Sequence, residues 1–145
     1  MPRRFISKLL GELLVERKAI TPRQLEEALG VQQQEGGLIG EALVTLGYTT
    51  EEAIIQAFTA QYGFPYLPLK QYSLDGDLSR LIPENVARQY CLIPVDHIGD
   101  TLTIAMADPL NRKAMEDIEL LTHRSVQVFV STFSDVVEAI QRLYG

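Results

Sequence analysis

Few side chains in this sequence could do chemistry, and none stands at the spacing that catalysis or metal binding requires. The two histidines, His97 and His123, are 26 positions apart, and neither has a second histidine at helical spacing. The single cysteine, Cys91, lies among apolar residues at the start of a predicted strand, as a buried inert thiol would. The acidic residues lack the spacing of a calcium loop. The sequence therefore predicts no metal site and no reactive cysteine.

Phosphate-binding and nucleophile motifs are also missing. None of the ten glycines is followed by lysine, as the P-loop of a nucleotide-hydrolysing motor requires. The dinucleotide fingerprint G-x-G-x-x-G and the nucleophile elbow G-x-S-x-G do not occur. We therefore expect this chain not to be an enzyme.

The residues that stand out belong to an internal repeat with an offset of 29 positions. Gly11-Glu12 aligns with Gly40-Glu41, and Gln32 aligns with Gln61. Apolar positions agree as well, but any two amphipathic helices share such positions. The paired Gly-Glu steps and the paired glutamines need another explanation. Two copies are too few for a solenoid, so the sequence predicts two pseudo-repeated helical hairpins.

Helix start and stop signals agree with this prediction. Thr21, followed by proline and then by Gln24, is typical of a capping box at the start of the second helix. Gly47 is expected to end the third helix, and the two prolines that follow Gly63 cannot continue the fourth. We expect an all-α lobe followed by a linker, over residues 1–64 and 65–82 respectively.

The pattern changes from helical spacing to alternation after Leu92. An apolar run and the alternating Leu102-x-Ile104-x-Met106 flank Gly99-Asp100, which predicts a β-hairpin. Asp108-Pro109 predicts the start of a helix, and a third strand and a final helix follow. The predicted fold class is α+β, with a ββαβα sandwich lobe over residues 83–145.

Composition narrows the classes of partner. A net charge of −6 argues against binding of a nucleic acid polymer. No apolar run approaches the roughly 18 residues that a membrane span needs, and the single cysteine suits a cytosolic compartment. The basic residues Arg3, Arg4 and Lys8 form either a solvated terminus or a patch for a membrane surface.

Several segments resemble the N-terminal domain of type II secretion and type IV pilus assembly ATPases, the MshEN or GSPII_E N-terminal family. They are Leu-Gly-Glu-x-Leu-Val at 10–15, Gln-Tyr-Gly-Phe-Pro at 61–65 and Ala-Met-Ala-Asp-Pro at 105–109. The resemblance extends over essentially the whole chain. It implies a regulatory and docking domain whose partners are the ATPase motor domain and inner-membrane platform proteins. It also implies a cytoplasmic location at the inner face of the inner membrane, in either a piece of a longer ATPase or a stand-alone relative.

The resemblance also implies a ligand site, because members of this family that bind cyclic di-GMP do so with a tandem motif. Each copy of that motif opens with Arg-Leu-Gly and closes with Leu-x-x-x-Leu-x-x-Gln. In the first copy the matching residues are Leu10, Gly11, Leu14, Val15, Leu25, Leu29 and Gln32. In the second copy they are Ile39, Gly40, Leu43, Val44, Gly47, Ile54, Phe58 and Gln61.

The chain departs from the motif where charge is needed. Leu9 and Leu38 replace the opening arginines, and Lys18 replaces the glycine of the first copy. Arginine suits both the phosphates and the guanines of cyclic di-GMP. Two lost contacts of about 1.5–3 kcal/mol each would weaken binding by two or more orders of magnitude. We expect no cofactor beyond cyclic di-GMP as a weak ligand. Two alternatives stay open: a sensor domain, or glycines and glutamines that only pack the hairpins.

Overall fold

The computed structural model describes residues 10–145, which divide into two compact units. The boundary lies between Tyr62 and Gly63. The described part of the first unit contains helices and no strand, and the second contains a three-stranded sheet with helices packed on it. The predicted α+β class is confirmed.

The first unit is an all-helical bundle in its described part. Helix α1 covers residues 10–16, and it is followed by α2 (Pro22–Glu35), α3 (Ile39–Thr45) and α4 (Glu51–Tyr62). Helix α3 packs against both α2 and α4. The core contains the fully buried Leu14, Leu43 and Phe58.

The predicted cap of α2 is present, and α4 has a similar one. The Thr21 hydroxyl accepts a hydrogen bond from the backbone N–H of Gln24 at 3.2 Å, and the Gln24 side chain accepts from the Thr21 N–H at 2.9 Å. In the second copy, the Thr50 hydroxyl accepts from the Ala53 N–H at 3.1 Å. Thr21 and Thr50 are 29 residues apart and are therefore equivalent in the repeat. In both hairpins, then, a threonine hydroxyl caps the second helix.

The ends of α1 and α3 also match. Lys18 and Gly47, again 29 residues apart, have left-handed backbones with φ of 60° and 81°. Each of them begins the same pair of backbone hydrogen bonds, which is the Schellman pattern. The four N–H to carbonyl bonds, at 2.9–3.0 Å, are Lys18–Val15 and Ala19–Leu14 in the first copy and Gly47–Val44 and Tyr48–Leu43 in the second.

The second unit has the predicted ββαβα order. Strands β1 (Leu92–Ile98) and β2 (Thr101–Met106) form an antiparallel hairpin, and β3 (Ser125–Val130) lies parallel to β2. The strand order is β1-β2-β3, and α6 (Arg112–Thr122) forms the crossover to β3. Helix α5 (Glu84–Tyr90) precedes the sheet, and α7 (Phe133–Tyr144) follows it. Helix α7 packs on β1 and β2, α6 on β3, and α5 on β1.

The start of α6 differs from the prediction. The sequence suggests Asp108-Pro109, but the helix begins at Arg112. Asn111 is the N-cap, and its side-chain oxygen accepts from the Ala114 N–H at 3.1 Å. Asp108 instead closes a turn by accepting from the Leu110 N–H at 3.3 Å. Asp-Pro and Asn are both acceptable starts, and the prediction chose the wrong one of two adjacent signals.

The segment 65–82, expected as a linker, packs within the second unit in this structure. Two 3-10 helices, Leu69–Gln71 and Gly76–Arg80, bury Leu69 and Leu78. Leu67 adds to the end of β3, because its N–H donates to the Val130 carbonyl at 3.0 Å. The Ser131 hydroxyl donates to the Leu67 carbonyl at 2.7 Å. Prolines exclude a long helix here but permit these short turns.

Candidate functional site

All fifteen residues matched to the cyclic di-GMP motif lie in the first unit. Leu9, which replaces the first motif arginine, lies outside the described residues, as do Arg3, Arg4 and Lys8. The candidate site is therefore described for residues 10–61.

More than half of the matched residues belong to the core of this unit. The buried ones are Leu10, Gly11, Leu14, Ile39, Gly40, Leu43, Ile54 and Phe58. Partly exposed residues are Val15, Leu25, Leu29, Gln32 and Val44, while Gly47 and Gln61 are exposed. A ligand can therefore reach the partly exposed and the exposed residues, but it cannot reach the buried ones without displacing the core.

The two motif glycines are sites of close packing. A Cβ atom added at Gly11 would lie 2.4 Å from Cδ1 of Leu25, and one at Gly40 would lie 3.1 Å from Cδ1 of Ile54. Leu25 and Ile54 are themselves equivalent in the repeat. Each glycine thus lets the side chain of the next helix approach its backbone. This contact accounts for both glycines without any ligand.

The two motif glutamines occupy different environments. The Gln32 side chain donates to the Gly37 carbonyl at 3.0 Å, where Gly37 has a φ of 84° in the loop before α3. Gln61 is exposed near the end of α4. Gln32 therefore holds the connection between α2 and α3, and the repeat is not symmetric at this position.

The second missing arginine has no substitute at its own position. Leu38 is the N-cap of α3, half-buried, and its side chain makes no capping hydrogen bond. Glu41 lies in the first turn of that helix, with its carboxylate close to Gly37. The local charge at this end of α3 is negative, opposite to what a phosphate needs.

Negative charge predominates from the second helix of the first copy to the end of the second copy. Residues 24–61 contain no lysine or arginine, and six glutamates: Glu26, Glu27, Glu35, Glu41, Glu51 and Glu52. A doubly charged anion approaching this region meets repulsion, which weakens binding. The sequence itself shows this signal, because no lysine or arginine occurs between Arg23 and Lys70.

Tyr48 makes a contact with Glu27 that the sequence did not predict. Its hydroxyl donates to Oε1 of Glu27 at 2.8 Å and so joins the loop after α3 to α2. This hydrogen bond is the main cause that raises the pKa of Tyr48, and slight burial and the charge of Glu27 contribute less. The Tyr48 side chain is thus held by a polar contact within the first unit.

The other candidate side chains lie in separate places in the second unit. Cys91 is buried and ends α5 in a left-handed conformation with φ of 52°, and His123 ends α6 in the same way with φ of 55°. His97 is exposed on β1. Among residues 10–145, no group of three or more histidine, cysteine or acidic side chains is arranged to hold a metal ion.

No helix within the described residues is long and apolar enough to cross a bilayer.

Comparison with known proteins assigns the second unit to a family. The MshEN domain matches residues 62–145, more than half of the chain. The matched residues are those of the second unit, whereas the residues of the predicted ligand motif lie in the first.

Whole-chain comparisons extend the similarity to the first unit. The type IV pilus assembly ATPase PilB of Myxococcus xanthus is 37% identical over 140 residues, which is 97% of this chain and 25% of that protein. PilB of Thermus thermophilus is 35% identical, covering 94% of this chain and 19% of that protein. The chain therefore spans a quarter or less of the length of these relatives.

Solved structures agree with this relationship. The structure of MshE with cyclic di-GMP matches at a TM-score of 0.69 and 31% identity, covering 93% of this chain and 98% of that one. The N-terminal domain of XpsE matches at a TM-score of 0.74 and 22% identity, covering 97% and 96%, and supports the fold. With its second unit matched over its whole length, the chain belongs to the MshEN domain family.

Proposed function

We propose that this chain is a non-catalytic regulatory and docking domain of a type II secretion or type IV pilus assembly ATPase system. The observation that carries this proposal is the alignment with PilB, which takes in 97% of this chain but only 25% of that ATPase. The sequence has no P-loop. A domain without motor residues contributes to such a system through its contacts.

The proposed partners are the motor domain of the ATPase and proteins of the inner-membrane platform, met at the cytoplasmic face of the inner membrane. Several large apolar side chains of the second unit are exposed and so are available for contact with a partner. Ile98 is 76% exposed, Leu120 74%, Leu121 49% and Val137 47%. Leu120 and Leu121 are neighbours on α6, and adjacent exposed apolar side chains suit contact with another protein.

The test is a pull-down with the 145-residue chain as bait and solubilised platform proteins of the same system as prey. We expect platform components to be retained in the absence of any nucleotide. Failure under conditions in which the full-length ATPase retains them would leave only a role within the ATPase and would reject the platform contact.

A second candidate function is cyclic di-GMP sensing, and the similarity to MshE solved with that ligand favours it. Against strong binding stand Leu38 in place of an arginine and the absence of lysine and arginine from residues 24–61. We therefore propose cyclic di-GMP as a weak ligand at most. Isothermal titration of the chain with cyclic di-GMP tests this directly, with the values given in the Discussion.

A further inference from the structure

The sheet of the second unit has two edge strands, and they differ in how they resist the addition of a further strand. The order β1-β2-β3 makes β1 and β3 the edges. Strand β1 contains Pro94, which has no N–H, the charged Asp96, and a register shift between them. Proline, charge and irregular register in an edge strand oppose pairing with another chain. Strand β3 has no proline, no charge and an even register.

The sequence of β3 favours pairing with another strand. Its residues, Ser-Val-Gln-Val-Phe-Val at 125–130, include three valines and a phenylalanine and no charged residue, proline or glycine. Segments of about six residues with these properties pair readily with identical segments of other chains. Because the segment is uncharged, two copies of it meet without repulsion. An unprotected β3 is therefore expected to bind β3 of a second copy.

Alternate residues of β3 direct their backbone groups to its outer edge. The N–H of Ser125 donates to the Asp100 carbonyl at 2.8 Å and so faces the β2 side. Backbone groups along a strand alternate between its two sides. Those of Val126, Val128 and Val130 therefore face the outer edge, where a further strand would have to bind.

Glu119 of α6 covers this edge at Val126. Its carboxylate accepts a hydrogen bond from the Val126 N–H at 3.2 Å. A strand that pairs here must displace the carboxylate, and its own carbonyl oxygen would lie beside a negative charge. Charged side chains at a sheet edge oppose strand addition for this reason.

The segment 65–67 covers the same edge at Val130. The Val130 N–H donates to the Pro65 carbonyl at 2.8 Å, and the Val130 carbonyl accepts from the Leu67 N–H at 3.0 Å. Tyr66 thereby forms an isolated parallel bridge with Val130. The ladder cannot extend toward Val128, because its next donor would be Pro65 and proline has no N–H.

We propose that Glu119 and residues 65–67 protect the edge of β3 and so prevent it from pairing with β3 of a second copy of this chain. Together they cover Val126 and Val130, and of the edge-facing residues of β3 Val128 alone lies between them. One residue is too short for a ladder, since strands usually have at least about three. This inference goes beyond the proposed docking function and does not depend on it.

The test compares the self-association of two variants of the 145-residue chain by sedimentation velocity at several concentrations. Glu119→Ala removes the contact with Val126, whereas the control Glu116→Ala removes an equal charge from the same helix. Both glutamates are exposed, so both variants should fold, which circular dichroism checks. We expect Glu119→Ala to self-associate at least about tenfold more tightly than the control. Equal behaviour of the two variants, including two monomers, would overturn the inference.

A charge placed within β3 should reverse the effect of Glu119→Ala. Gln127 is exposed in the middle of the uncharged segment. Adding Gln127→Lys to Glu119→Ala should restore the association of the control, because a charged side chain in an edge strand opposes pairing. Gln33→Lys adds the same charge at an exposed position of α2 and should not restore it. Equal effects of the two lysines would contradict the assignment to β3.

Amide hydrogen exchange, followed by NMR at a concentration where both variants are monomeric, tests the Glu119 contact itself. The Val126 N–H should exchange at least about tenfold faster in Glu119→Ala than in Glu116→Ala, because its hydrogen-bond acceptor is gone. The Val130 N–H, which is held by Pro65, should exchange equally in both. Equal exchange at Val126 would show that Glu119 does not cover the edge.

Discussion

Lys18 and Gly47 hold the same left-handed backbone conformation at equivalent positions of the repeat. Their φ angles are 60° and 81°, and each N–H donates to the carbonyl three residues earlier at 3.0 Å. Glycine adopts this conformation without penalty, whereas a residue with a Cβ pays about 1–2 kcal/mol. The first hairpin therefore carries backbone strain that the second avoids.

Exchanging these residue types should change stability in opposite directions. Lys18→Gly should raise the free energy of unfolding by about 0.5–1 kcal/mol, because relief of strain exceeds the added entropy of the unfolded chain. Gly47→Lys should lower it by about 1 kcal/mol, since no atom lies within 4 Å of an added Cβ and only the backbone cost remains. Urea denaturation followed by circular dichroism measures both. Two changes of the same sign would refute the equivalence.

The motif glycines should prove sensitive to a single methyl group. Gly11→Ala should destabilise the first unit by up to about 2 kcal/mol, because overpacking against Leu25 costs about 1–3 kcal/mol and alanine's better helix propensity returns about 1 kcal/mol. Gly40→Ala should cost less, because Ile54 lies farther away, at 3.1 Å rather than 2.4 Å. Gly30→Ala is the control, since no atom lies near its Cβ and alanine is the better helix former by about 1 kcal/mol.

Combining Gly11→Ala with Leu25→Ala identifies the contact itself. If the methyl group clashes with Leu25, the double variant should be more stable than the sum of the two single changes predicts. Strict additivity, measured by the same denaturation, would mean that Gly11 is required for another reason. It would then favour a role of Gly11 in ligand binding.

Local signals predicted most of the fold because they act over a few residues. The capping pair Thr21 and Gln24 and the stop at Gly47 each depend on three or four neighbours, which the sequence displays directly. The start of α6 was missed because both Asp108 and Asn111 could be its N-cap. Tertiary contacts decide which of them is used. The packing of 65–82 was not visible, since it depends on partners such as Val130 and Ser131 that lie far along the chain.

The candidate site was less predictable than the fold. Matching to a motif singled out Gly11 and Gln32, but it could not show that Leu25 fills the space beside Gly11 or that Gln32 bonds to Gly37. The Tyr48–Glu27 hydrogen bond joins residues 21 positions apart and has no local signature. Such side-chain pairings arise only when the helices have packed.

Alkaline pH should destabilise the second unit through Tyr144. Its hydroxyl donates to the Ile82 carbonyl at 2.7 Å, and burial, followed by the charge of Glu84, raises the pKa of Tyr144 to about 12. Because the folded state favours the neutral phenol, its contribution is complete below about pH 10, the unfolded pKa, and is lost as pH rises toward 12.

Tyr144→Phe tests this linkage. It should cost about 1 kcal/mol at neutral pH through the lost hydrogen bond. It should also flatten the fall in stability above about pH 10, since the titrating group is gone. Urea midpoints measured at several pH values report both effects. An alkaline loss as steep in Tyr144→Phe as in the unmodified chain would contradict the assignment.

Cyclic di-GMP should bind weakly, and two arginines should improve it. Calorimetry should give a Kd above roughly 10 μM, equivalent to less than about 7 kcal/mol of binding. Leu9→Arg with Leu38→Arg should tighten binding by about tenfold or more, because arginine supplies a charged fork for phosphate and guanine. Ile98→Arg with Leu120→Arg adds the same charge to the second unit and should leave binding weak. Submicromolar binding by the unmodified chain would promote the sensor function.

The measurement that tests the docking account most directly is the affinity of the immobilised 145-residue chain for a solubilised inner-membrane platform protein of its own system, by biolayer interferometry. The account predicts saturable binding without nucleotide, with an affinity that is unchanged by cyclic di-GMP at about 1 μM, tenfold below its expected Kd. No binding, while the full-length ATPase binds under the same conditions, or binding that appears only with cyclic di-GMP, would contradict it.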